Sequence, residues 1–154
     1  MGFRLEQQQV TSAIASACLT VDRAQLPLDP ASVQQLSPAA LAYLGDAVFE
    51  LYIRAAYLLP PQRLQRYHDR VVAQVRAETQ SAHLKLLEPH LTSTELDIVR
   101  RGRNAASSRS NRRDAETYQR ASSLETLVGY LYLCDPQRLA QLLAHLPFDS
   151  SVEP

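Results

Sequence analysis

The amino-acid sequence predicts an all-α protein with one main domain. Alanine, leucine, arginine and glutamine are abundant, and these residues favour helix. No stretch shows the strict alternation of apolar and polar residues that a half-buried strand requires, whereas apolar residues recur at helical spacing in several segments. At 154 residues the chain is long enough to bury a hydrophobic core.

The first half of the chain predicts a short helix within residues 1–19, an extended linker at residues 26–30, and then the most distinctive helix. Ser37 is a suitable N-cap and Pro38 a suitable first residue. This helix should run to residue 58 or 59, because Pro60 and Pro61 follow. Its predicted core-facing positions are Leu41, Leu44, Val48, Leu51 and Ala55.

Four further segments complete the helical prediction. A third helix should span residues 63–87, with Val71, Val75, Ala82 and Leu86 on one side. Thr92 and Glu95 form a capping box for a helix that ends near Gly102, before an exposed polar loop. Residues from 114 onward form a helix, and Asp135 caps the last one, which ends near residue 146. The apolar face of the helix after residue 114 comprises Leu124, Leu127, Val128, Leu131 and Tyr132. We therefore divide the chain into an N-terminal extension and linker (1–30), a helical domain (31–148) and a tail (149–154).

Two of the four glycines lie inside predicted helices, each near an acid. Gly45 precedes Asp46, and Gly129 follows Glu125 by one turn. If the two helices cross closely at these glycines, the two carboxylates face each other and need a cation between them. Mg²⁺ is a suitable cation because it takes oxygen ligands and needs only one or two carboxylates.

Structural explanations of the same residues remain open from the pattern alone. Ser122 and Glu125 match a capping box, in which Glu125 would only accept a backbone hydrogen bond. Asp46 and Glu50 are one turn apart and suit a solvated helix edge, with Glu50 paired to Arg54.

Between Arg100 and Arg113 the chain has six arginines and no acid, although its overall net charge is zero. The stretch is either a solvated loop or a surface that contacts phosphates, and its lack of aromatic residues favours a duplex over unpaired bases. His68 lies among Arg66, Arg70 and Arg76 and is counted with the same basic surface. No apolar run is long enough to span a membrane and no signal peptide is evident, so we expect a cytoplasmic protein.

Four segments, in order, resemble the ribonuclease III family, and most closely its short bacterial Mini-III branch. They are LAYLGDAVFE at residues 41–50, residues 67–80, RGRNA at residues 101–105, and residues 118–133, which contain LETLVGYLYL. The similarity covers roughly residues 36–146. It implies an all-helical endonuclease domain that works as a homodimer on double-stranded RNA.

The resemblance also implies a reaction and a set of site residues. The expected activity is Mg²⁺-dependent hydrolysis that leaves 5′-phosphate and 3′-hydroxyl ends, on precursors of large-subunit (23S) ribosomal RNA. Asp46 and Glu125 match the family's catalytic metal ligands, with Gly45, Glu50 and Gly129 in support. Longer members have further acids where this chain has Ala39, Tyr43 (or Ala42) and Ser122, so fewer acids surround the metal. The expected RNA contacts are Arg100, Arg101, Arg103, Asn104, Arg109, Asn111, Arg112, Arg113 and His68. From the residues alone, a helical dimer that binds structured RNA without cutting it, or a helical module that binds other proteins, stays open.

Overall fold

The computed structural model describes residues 28–107 and 114–148, and every regular element in these ranges is helical, as predicted. The predicted helix within residues 1–19, most of the linker and the tail lie outside the described residues. No helix among the described residues is long and apolar enough to cross a membrane. The helices are α1 (Pro30–Gln34), α2 (Pro38–Ala56), α3 (Leu64–Val75), α4 (Ala77–Leu87), α5 (Ser93–Ser107), α6 (Ala115–Cys134) and α7 (Pro136–Leu143), with a short 3₁₀ helix at Glu88–His90.

Helix α6 lies at the centre of the fold and packs against α1, α2, α4, α5 and α7. Its predicted apolar face is confirmed, since Leu124, Leu127, Val128 and Leu131 are all buried. Each such side chain contributes roughly 1.5–3 kcal/mol through burial. The central position of α6 means that the neighbouring helices are placed relative to it.

Helix α2 begins as predicted, because the Ser37 hydroxyl accepts a hydrogen bond from Ala40 N at 3.1 Å and Pro38 follows. It ends at Ala56, two or three residues earlier than expected. The prediction that Leu51 faces the core was wrong: Leu51 is 47% exposed. Phe49 and Ile53 occupy the core instead, because the face of α2 that contains residues 45, 49 and 52 is the one that packs against α6.

The predicted close crossing of α2 and α6 at two glycines is confirmed. A Cβ on Gly45 would lie 1.7 Å from the backbone oxygen of Glu125, and one on Gly129 would lie 2.1 Å from the oxygen of Leu41. The two backbones therefore touch, and no other residue type fits at either position without moving a helix.

The single helix predicted for residues 63–87 is two helices, and this prediction was wrong. Arg76 adopts an extended conformation (φ −66°, ψ 153°) and separates α3 from α4. The break is stabilised by Thr79, whose hydroxyl donates a hydrogen bond to the Ala73 carbonyl at 2.6 Å. As a result Val71 is buried, while Ala82 and Leu86, which were expected on the same side, are exposed.

Helix α5 begins with the predicted capping box: Glu95 N donates to Thr92 Oγ1 at 3.2 Å, and Thr92 N donates to Glu95 Oε2 at 2.8 Å. The prediction that it ends near Gly102 was wrong, since it continues to Ser107. Gly102 is a packing residue instead, because a Cβ there would lie 2.6 Å from Thr126 Oγ1. The predicted loop therefore begins no earlier than the end of α5, and residues 108–113 lie outside the described ranges.

The remaining differences from the sequence prediction are at the end of α7 and at α1. Helix α7 starts at the predicted cap, where Asp135 Oδ1 accepts a hydrogen bond from Arg138 N at 3.0 Å, but it ends at Leu143 rather than near residue 146. The short helix α1 was not predicted, although Asp29 caps it in the ordinary way by accepting from Ser32 N. Pro30 thus begins a helix instead of closing an extended linker.

The glycine crossing predicts the effect of Gly45→Ala. Helix propensity alone would stabilise the protein by about 1 kcal/mol. Because the new Cβ would overlap the Glu125 carbonyl, we expect the free energy of unfolding to fall by about 3 kcal/mol or more, measured in urea. Ala82→Gly is the control on the exposed side of α4, where we expect only the propensity cost. A Gly45→Ala protein as stable as the wild type would contradict the close crossing.

Candidate active site

A cleft of about 210 Å³ lies where α2, α5 and α6 meet, and Asp46 and Glu125 both line it. Asp46 comes from α2 immediately after Gly45, and Glu125 comes from α6 one turn before Gly129. The glycine contact brings the two carboxylates into one cleft, as the sequence predicted. The other lining residues are Pro38, Ala39, Ala42, Tyr43, Gly102, Ala105, Ala106, Tyr118, Ser122 and Thr126.

The electrostatics of the cleft disfavour two negative charges. Burial first, and then the negative charge of Asp46, raise the pKa of the Glu125 carboxyl to about 7, although the side-chain amide of Gln80 opposes the rise. The pKa of Asp46 is also raised, first by burial and then by the negative charge of Glu50. Two acids that resist ionisation in a shared cleft are the arrangement that a bound cation relieves.

The donor atoms in the cleft suit a hard cation. Every side chain there with a potential ligand atom offers oxygen, from the two carboxylates and from the hydroxyls of Tyr43, Tyr118, Ser122 and Thr126. Among the described residues no group of three or more His, Cys, Asp or Glu side chains is placed to hold a metal. The carboxylate and hydroxyl oxygens of the cleft fit a hard ion such as Mg²⁺ that keeps several waters, and Asp46 and Glu125 would be its protein ligands.

The capping-box explanation of Glu125 was wrong. Ser122 lies within α6, seven residues after its first residue, and its carbonyl accepts a hydrogen bond from Thr126 Oγ1 at 2.7 Å. The i,i+4 pair of Glu50 and Arg54 is confirmed at 2.6 Å. Glu50 is thus held by Arg54 one turn from Asp46 and influences the cleft through its charge.

Positions with small or uncharged side chains surround the two acids. Ala39, Ala42, Tyr43 and Ser122 all line the cleft. Gln80 was not predicted as a site residue, although it is fully buried beside Glu125 and its Nε2 has no hydrogen-bond partner of ordinary geometry. A glutamine at helical spacing from the apolar residues Leu84 and Leu87 was the signal that could have found it.

The predicted RNA-binding residues fall into three groups. Arg100, Arg103 and Asn104 are exposed on α5, where Arg100 pairs with Asp97 at 2.9 Å. His68 is exposed on α3. Arg109, Asn111, Arg112 and Arg113 lie outside the described residues. Among the described residues, the exposed side chains predicted to contact RNA therefore lie on α5 and α3.

Arg101 differs from its neighbours because its guanidinium is engaged within the protein. Its Nη2 donates to the carbonyl of Gln34 at 2.7 Å and to that of Leu36 at 3.4 Å. These bonds tie α5 to the segment that leads into Ser37 and α2. Arg101 therefore supports the start of the helix that carries Asp46, a role that the arginine-rich pattern did not suggest.

Comparisons with known proteins identify the family of this chain. The family described as "Ribonuclease III domain" matches residues 39–136. The chain belongs to the ribonuclease III family. Within it, the chain is similar to the Mini-ribonuclease 3 of Synechocystis, with 63% identity over 77% of this chain and 82% of the relative. It is also similar to the Mini-ribonuclease 3 of Clostridium tetani, with 32% identity over 72% of this chain and 76% of the relative.

The fold of this ribonuclease III domain also agrees with a solved structure. An X-ray structure of a Fusobacterium nucleatum protein superimposes with a TM-score of 0.66 at 28% identity, over 71% of this chain and 91% of that one. The chain is accordingly an endoribonuclease of the Mini-III branch. The family assignment made from the four sequence segments is confirmed.

The raised pKa of Glu125 predicts how the metal-free protein responds to pH. Below pH 4.5 the Glu125 carboxyl is protonated in both the folded and the unfolded protein, so it does not change the free energy of unfolding. Between pH 4.5 and about 7 it ionises in the unfolded chain but not in the folded one, so stability falls by up to about 3 kcal/mol. Glu125→Gln should therefore match the wild type near pH 4 and be more stable at pH 8, measured by thermal unfolding in EDTA.

The matched control is Glu78→Gln on the exposed side of α4. Because Glu78 is an exposed acid in the first turn of α4, its loss should not make the protein more stable than the wild type at pH 8. If Glu125→Gln showed no gain in stability at pH 8 either, Glu125 would be an ordinary solvated carboxylate and the cleft would have no need of a cation.

Proposed function

We propose that this endoribonuclease cuts double-stranded RNA with the help of Mg²⁺ held by Asp46 and Glu125, and that it matures precursors of large-subunit ribosomal RNA. The observation that carries the proposal is the shared cleft, in which the backbone contact of Gly45 with Gly129 brings together two acids that resist ionisation. The names of the relatives support the RNA substrate.

The chain's own residues have distinct parts in this proposal. Asp46 and Glu125 hold the ion, Gln80 opposes protonation of Glu125, and Arg101 supports the start of α2. When bound, the ion would supply a water molecule of lowered pKa and neutralise charge that develops on the phosphate. We expect hydrolysis to leave 5′-phosphate and 3′-hydroxyl ends. Exposed Arg103 and Asn104 lie on α5, the helix that also contributes Gly102 and Ala105 to the cleft, and they are proposed to contact the RNA backbone.

The cleavage test uses a transcript that contains the stem of a large-subunit precursor. Asp46→Asn and Glu125→Gln should each lower the Mg²⁺-dependent rate at least about a hundredfold, because each removes an ion ligand. RNA affinity measured without Mg²⁺ should change little. Ligation-based mapping of the products identifies the ends, and Glu78→Gln is the control for loss of a carboxylate elsewhere. Cleavage by either variant at the wild-type rate would refute the site; binding without cleavage by the wild type would favour a non-catalytic RNA-binding dimer.

The homodimer is supported by an exposed apolar row on α2. Tyr43, Ala47 and Leu51 follow one another at intervals of four residues, with Tyr43 87% and Leu51 47% exposed. Leu36, just before the helix, is 42% exposed. Large apolar side chains aligned on one helix face are typical of an interface. Because Tyr43 also lines the cleft, a second copy packed on this row would lie next to the catalytic residues.

We expect the double variant Tyr43→Asp, Leu51→Asp to be monomeric by light scattering at concentrations where the wild type is a dimer, since it places charges in the interface. Leu64→Asp is the control, because Leu64 is 79% exposed on α3, away from the row. A dimer that survives the double variant but is lost in the control would place the interface on α3.

A further inference from the structure

A second cavity of about 450 Å³ lies at the junction between α2 and α3, outside the carboxylate cleft. Its wall contains three arginines and no acid. The arginines occupy positions 63, 66 and 70, a spacing that puts them on one face of α3. The complete lining is Pro60, Pro61, Gln62, Arg63, Arg66 and Arg70.

The charge around this arginine pocket is strongly positive. From residue 51 to residue 77 the chain has five arginines and a single acid, Asp69. Asp69 accepts a hydrogen bond from Gln65 at 2.9 Å and is not part of the lining. Three guanidinium groups line one cavity, and each of them would attract an anion bound between them.

Arg70 is held in place at the inner side of the arginine pocket. Its Nη1 donates to Gln62 Oε1 at 3.4 Å, and its guanidinium lies 4.2 Å from the centre of the Tyr57 ring, which is buried. A guanidinium oriented by an aromatic ring and an amide loses little freedom when it binds an anion. Planar, two-point donors of this kind match phosphate oxygens.

We propose that the arginine pocket binds a backbone phosphate of the RNA duplex, remote from the cleaved bond. This inference rests on the proposed function, which supplies the polyanion. The position is suitable because Tyr57 follows Asp46 by eleven residues at the end of α2, about 16 Å along the helix axis. A duplex that places one bond at the carboxylates extends far enough to reach the arginine pocket.

The arginine pocket is separate from the RNA contact predicted at His68. His68 precedes Arg70 by two residues, which on an α-helix is a rotation of about 200°. The two sites therefore lie on different sides of α3, and a phosphate in the arginine pocket does not need His68. This difference allows an experiment to distinguish them.

The test measures the affinity of metal-free protein for a long RNA duplex over a series of salt concentrations. For Arg63→Ala and for Arg66→Ala we expect a several-fold loss of affinity and a decrease of about one in the slope of log affinity against log salt, the effect of one lost phosphate contact. Lys85→Ala, an exposed charge on α4, is the control and should leave both quantities unchanged. Circular dichroism confirms that each variant folds.

Three results would overturn the inference. The first is an unchanged salt slope in both arginine variants while the wild type binds RNA. In the second, the arginine variants lose as much affinity for a shortened duplex, which covers only the carboxylate cleft, as for the long duplex. The contribution of a remote phosphate must vanish with the short duplex. The third is that inorganic phosphate protects Arg63 from a guanidinium-modifying reagent while duplex RNA does not, which would indicate a site for free phosphate. A wild-type protein that does not bind duplex RNA at all would instead refute the proposed function.

Discussion

The direct contact between the backbones of α2 and α6 is the constraint on which the rest of the site depends. Gly45 and Gly129 allow the two helices to approach until no side chain fits between them. This contact fixes the helix that carries Asp46 against the helix that carries Glu125. Gly102 lets α5 approach α6 in the same way, beside Thr126, so three helices enclose one small cleft. Arg101 adds a tie from α5 to the segment before α2.

The packing of α2 against α6 determines how negative charge is distributed in the cleft. The cleft confines two carboxylates at the cost of a raised pKa for each, and that cost is what makes a cation favourable there. Around the arginine pocket the opposite charge accumulates. A polyanionic duplex with divalent counter-ions complements both features at once. In the proposed function the domain acts on RNA with two acidic ligands, Asp46 and Glu125, and with small neighbours such as Ala39 and Ala42.

Much of this site could be predicted because its determinants are local. A glycine inside a helical pattern costs stability, so Gly45 and Gly129 indicated a close approach, and the adjacent acids followed. The break at Arg76 could not be predicted, since it depends on Thr79 capping Ala73 and involves neither proline nor glycine. Gly102 was mistaken for a helix end because its packing partner, Thr126, is distant in sequence. The internal contacts of Arg101 were also hidden, because composition shows the charge of an arginine but not the carbonyls of Gln34 and Leu36 that it contacts; its RNA contact stays a prediction.

The most direct measurement of the central claim is calorimetric titration of Mg²⁺ into the protein near pH 7 without RNA. Because the pKa of Glu125 is about 7, part of the population is protonated there, and binding should release a fraction of a proton for each ion bound. The heat should therefore vary with the ionisation enthalpy of the buffer. We expect saturable binding with this proton release in the wild type, and its loss in Asp46→Asn and in Glu125→Gln. Saturable binding that is unchanged by both substitutions, or binding without proton release, would contradict the assignment of the cleft as the metal site.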